Sequence, residues 1–137
     1  MSSSLQPADA INALRRSNVI LNDLVRDFSQ ADAVRHRDGA DGWNILEIIC
    51  HLRDLEGVYQ RREVQMLTED NPPLEAFDVT AAVITHDYAH ADWGEALALW
   101  NQRRATHLEF LAGLAPDQWE RTGVHPAYGA CSLLEAA

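Results

Sequence analysis

The sequence predicts an all-α protein, a helical bundle. Three observations carry this. Apolar residues recur at three- and four-residue spacing over three long segments. Helix-start motifs precede the apolar runs. No alternating strand pattern or hairpin signal is found along the chain.

The first helix is expected from Pro7, which suits a first turn, to about Gln30. Its stripe is Ile11, Leu14, Leu21, Leu24, Val25 and Phe28. The stretch Ala31–Gly42, with its two glycines and three aspartates, reads as a loop. The second helix has the best start signal. Asn44 can cap it while Glu47 reaches back, and Trp43 with Ile48 fits a hydrophobic staple. Its stripe runs through Ile45, Ile48, Ile49, Leu52, Leu55, Tyr59 and Met66, and Asn71-Pro72-Pro73 ends it. Residues 74–91 form either a short helix capped by Asp78 or an ordered crossing loop.

A third long helix opens at Asp92 with Glu95 behind it and stops at Gly113. Its stripe is Leu97, Trp100, Arg104, Leu108 and Leu111. Pro116 starts one further short turn. Ser132-Leu133-Leu134-Glu135 is another capping box and announces a fourth helix, two residues before Ala137. Four helices are the common way to close such a layer. The expectation is a single domain over residues 1–137, incomplete at its C-terminal end.

Composition narrows the function classes. The chain has 137 residues, 47% apolar, with 21 acidic and 11 basic side chains and a formal charge of −10. That charge opposes nucleic-acid or anionic-membrane partners. All basic side chains are Arg, so Schiff-base lysines and P-loop lysines are excluded. Cys50 and Cys131 make no disulfide framework, and the N-terminal segment lacks a signal-peptide pattern. A soluble cytoplasmic protein is expected.

Several residues could carry chemistry. His51 flanks the apolar stripe of the second helix, so its imidazole lies near the bundle interior. It is either a metal ligand oriented by Glu47 or Asp54, or a structural histidine paired with one of them. His86 and His90 form H-x-x-x-H, either a chelating pair or part of an exposed polar connection. His107 reads as a rim residue. His125, before Pro126 and Gly129, sits on a loop at the bundle mouth or simply shapes a turn. Arg104 interrupts the third stripe. It either pairs with Asp54 or Glu56, or lets its guanidinium reach solvent.

The run from Gly42-Trp43-Asn44 through Glu47 and His51-Leu52 to Glu56, then Arg104, Leu114–Trp119 and His125–Glu135, resembles the DinB-like, or YfiT-like, metal-dependent hydrolase superfamily. The resemblance covers nearly the whole chain. It implies an up-down-down-up four-helix bundle with a long crossover between the second and third helices. It also implies a divalent metal, zinc or nickel, held by three histidines, the first of which maps onto His51. The other two belong to an H-x-x-x-H pair on the fourth helix and have no counterpart here. Glu47, Asp54, Arg104 and His125 are the expected supporting residues. The function implied is a metal-dependent hydrolase or thiol-dependent transferase, incomplete or inactive as this 137-residue chain, acting on an unknown small molecule. Homodimerisation is expected. The alternative is a metal-free helical binding or assembly module.

Overall fold

The computed structural model describes residues 5–37 and 42–137. Positions 1–4, at the start of the N-terminal segment, and 38–41, within the expected glycine–aspartate loop, lie outside them. The frame is three long helices, α1 (Pro7–Leu24), α3 (Ile45–Thr68) and α5 (Trp93–Ala112). Short α2 (Gln30–Arg35) and α4 (Val79–Thr85) lie between them, and α6 (Leu133–Ala136) ends the described chain.

Each helix start has a local cause. Asn44 Oδ1 accepts from the Glu47 amide at 2.8 Å, while the Glu47 carboxylate accepts from the Asn44 amide at 3.1 Å. Asp92 caps α5 through the Glu95 amide, and Ser132 with Glu135 forms the expected reciprocal box on α6. Asp78 caps α4, so the crossover holds a short helix within an otherwise irregular connection.

Two expectations need correction. The first helix ends at Leu24, not near Gln30. A second box explains this: Ser29 and Asp32 exchange hydrogen bonds and open α2 inside the expected loop. Phe28, placed on the helical stripe, packs against the same core from the connecting turn. Secondly, a β-hairpin is present. Strands β1 (Thr122–His125) and β2 (Gly129–Ser132) pair antiparallel, with Gly129 at φ 81 closing the turn. β1 also exchanges hydrogen bonds with the Pro72 carbonyl and the Leu74 amide.

The core has two apolar ends. Leu46, Ile49, Cys50, Tyr88, Trp93 and Trp100 form one; Met66, Leu74, Leu111, Trp119 and Leu133 form the other. Early residues of α3 and α5 share the first and late residues share the second, so these helices run parallel. Helix α1 runs against them, with Ile11 and Leu14 at the second end and Leu21 at the first. Helix α6 opens at the second end. This is the up-down-down-up order, with residues 69–92 as the crossover.

The hairpin docks where side-chain space is minimal. A Cβ added at Gly123 would stand 2.7 Å from Leu74 Cδ2 and 2.9 Å from Met66 Cγ. Gly123→Ala is therefore expected to cost about 1–3 kcal/mol through overpacking. Urea unfolding checks this, and an unchanged midpoint would contradict the packing described.

Candidate functional site

His51 lies two turns into α3, between two aromatic rings. Trp43 meets it edge-on with centroids 5.2 Å apart, and Phe77 from the crossover stacks on it at 5.7 Å. Its Nδ1 is buried and has no hydrogen-bond partner among the described residues. Burial lowers its pKa, outweighing the opposing pull of Asp54, and so favours the neutral ring. A neutral, clamped imidazole with an orphaned nitrogen fits a metal ligand chemically. Among the described residues no group of three or more His, Cys, Asp or Glu side chains is arranged to hold an ion.

Neither carboxylate expected to orient His51 does so. Glu47 is committed to the Asn44 cap, with Arg37 at 3.7 Å. Asp54 is the centre of a different cluster. Its Oδ1 accepts from Arg53 Nε at 3.0 Å, and its Oδ2 accepts from the Tyr88 hydroxyl at 2.6 Å. The same Oδ2 lies 2.8 Å from His86 Nδ1. Burial opposes ionisation of Asp54, but the hydrogen bonds from Arg53, Tyr88 and His86 outweigh it and hold the carboxyl below its usual range.

His86 lies 32 residues from Asp54 in sequence, so spacing alone gives no sign of their pairing. It caps the end of α4, while His90 lies in the following 3₁₀ turn and pairs with Asp87. The H-x-x-x-H spacing therefore makes no chelating pair. Asp54 fixes the His86 ring through Nδ1, and the other nitrogen of this half-exposed imidazole makes no hydrogen bond among the described residues. Phe77, Asp54, His86 and Arg103 line one small cavity, and Phe77 also covers His51. One aromatic side chain thus lies between the orphaned histidine and the Asp54–His86 pair.

Arg104 does not reach Asp54. It forms a two-point contact with Glu56, at 2.9 and 3.2 Å, and its Nη1 donates to the Leu14 carbonyl and Ser17 Oγ on α1. His107, expected at the rim, is fully buried. Its Nδ1 lies 2.6 Å from Glu56 and its Nε2 2.8 Å from Glu63. Burial opposes charge on His107, yet the two carboxylates outweigh it and raise its pKa to about 9. Glu63 is pushed up, chiefly by burial. This network ties three helices together between the two apolar ends and has no opening toward His51 in its hydrogen bonding.

His125 accepts from the Ala127 and Tyr128 amides and stacks on Tyr128, so it shapes the hairpin turn. β1 itself runs beside Pro72 and Leu74, beyond the last turn of α3. Cys50 is buried, and burial raises its thiol pKa.

The family model of the DinB superfamily matches residues 13–137. The chain belongs to the DinB superfamily. Among solved structures, this DinB-superfamily chain is similar to YfiT from Bacillus subtilis, described as a probable metal-dependent hydrolase with an unusual four-helix bundle topology. The TM-score is 0.82 at 25% identity, covering 99% of this chain and 78% of YfiT. No curated protein matches the sequence. In the DinB-superfamily chain no described helix is long and apolar enough to cross a membrane.

Proposed function

We propose that this protein is a metal-dependent hydrolase or thiol-dependent transferase in which His51 contributes one ligand to a divalent ion, zinc or nickel. The single observation that carries the reading is the buried, unpartnered Nδ1 of His51 in its aromatic clamp. The likeness to YfiT supports it. A bound divalent ion would polarise a carbonyl or lower the pKa of a bound water or thiol.

The chain's own residues have separable parts in this reading. Trp43 and Phe77 fix the His51 ring and keep water from its buried nitrogen. Asp54 positions His86, whose second ring nitrogen can take or give a proton at the cavity that Phe77 shares. Arg53 and Tyr88 hold Asp54 ionised and immobile for that purpose.

In the full-length protein, metal analysis after dialysis is expected to find about one zinc or nickel ion per chain, and none in His51→Ala. Full metal content in His51→Ala would falsify the ligand assignment. His86→Ala should keep the metal and lose turnover, because the group it removes holds a proton and not the ion.

A further inference from the structure

A second cluster of polar side chains borders a cavity on the outer seam between α3 and α5. Gly57 sits in mid-helix, where glycine costs about 1 kcal/mol relative to alanine. Two guanidiniums converge over it. At the position a Cβ would take, Arg61 Nη1 is 3.2 Å away and Arg103 Nη1 is 3.8 Å away.

Neither arginine is there by default. Glu75 grips the Nε–Nη2 edge of Arg61, at 2.8 and 3.2 Å, which leaves Nη1 turned over Gly57. Arg103 Nη1 donates one bond to the Arg53 carbonyl at 2.9 Å, and its Nε and Nη2 make no hydrogen bond among the described residues. Each cation already has a carboxylate, Arg61 with Glu75 and Arg103 with Asp54 at 3.7 Å, yet Arg61 Nη1 and Arg103 Nε and Nη2 keep N–H groups with no acceptor among the described residues. A cavity of about 380 Å³ lies over this notch, and Gln102 and Thr106 add polar side chains to it. The feature stands out in a chain of formal charge −10.

We propose that the Gly57 notch, with Arg61 and Arg103, binds the phosphate group of a small phosphorylated molecule. Two guanidiniums from opposite helices, with a hydroxyl and an amide beside them, suit an anion with several oxygens better than a single carboxylate. Arg103 also lines the cavity of Asp54 and His86, so a molecule anchored by its phosphate would extend toward that pair. The notch shares no residue with the surroundings of His51 described above.

The test is titration of the full-length protein with inorganic phosphate at constant ionic strength, read by calorimetry and by the arginine Nε signals in NMR. One saturable site is expected, with the Arg61 and Arg103 signals moving together. Arg103→Gln should weaken phosphate about tenfold, the loss of one charge-assisted contact. Gly57→Ala favours the helix, so folding is retained, yet its methyl displaces Arg61 and should weaken binding severalfold. His51→Ala should bind phosphate as the parent does. Unsaturable phosphate effects, unchanged affinity in Arg103→Gln, or equal affinity for acetate would each overturn the proposal.

Discussion

His107→Leu is expected to destabilise the protein by about 3–5 kcal/mol, because it leaves Glu63 buried with no partner and Glu56 with Arg104 alone. The double variant His107→Leu/Glu63→Leu should recover a large part of that loss, since removing the orphaned charge removes its desolvation cost. Equal stability of single and double variants in urea unfolding would contradict the network as described. The same group sets an alkaline limit. Its folded pKa, about 9, lies above the ordinary value of 6.5. A cation whose pKa is raised by folding binds its proton more tightly in the native state. Its contribution is complete below about pH 6.5 and is lost as pH rises through 9. Stability should fall over that window in the parent, and the decline should shrink in His107→Leu.

Asp54→Ala is expected to cost about 3 kcal/mol and to act at the other end of the pH scale. It strands the Tyr88 hydroxyl in the core and leaves Arg53 without its carboxylate. Asp54 is held below the ordinary aspartate value of 3.8. A carboxyl with a depressed pKa adds stability above its unfolded pKa and loses it as pH falls through the folded one. The acid limb of the parent should therefore be steeper than that of Asp54→Ala below about pH 4. Parallel acid limbs in the two proteins would show that the carboxylate is not held as the hydrogen bonds indicate.

Much of the fold was legible where one short motif decides the local backbone. Asn44 with Glu47, Asp92, and Ser132 with Glu135 mark three helix starts within a residue. The overrun of α1 shows what an apolar stripe cannot say. Phe28 and Val25 serve the same core as the stripe, but Ser29 and Asp32 break the helix between stripe and loop. That S-x-x-D box was the available signal. The hairpin escaped because each strand is only four residues, and β1 takes its second partner from Pro72–Leu74, fifty residues away in sequence.

The site divides in the same way. The partly buried position of His51 follows from its place beside the stripe of α3. Its actual neighbours do not, because Phe77 and His86 come from the crossover, whose path depends on tertiary packing. His107 looked like a rim residue because a histidine beside an apolar stripe suits an edge. Its burial is explained by Glu56 and Glu63, two carboxylates seven residues apart on the inward side of α3. That spacing was visible, but its meaning depended on knowing that α3 and α5 run parallel.

Helix α1 contributes no fully buried residue. It is held by partly buried Ile11, Leu14 and Leu21, by the Arg104 contacts to Leu14 and Ser17, and by Asn101 bridging Asn18 and Asn22. Helices α3 and α5, in contrast, share both apolar ends and the charges between. Local unfolding free energy follows burial. The molecule therefore has an uneven energetic grain, in which α1 can detach in a partial opening while α3 and α5 stay paired. Since Arg104 spans both levels, the charge state of the interior reaches the most loosely held helix through one side chain.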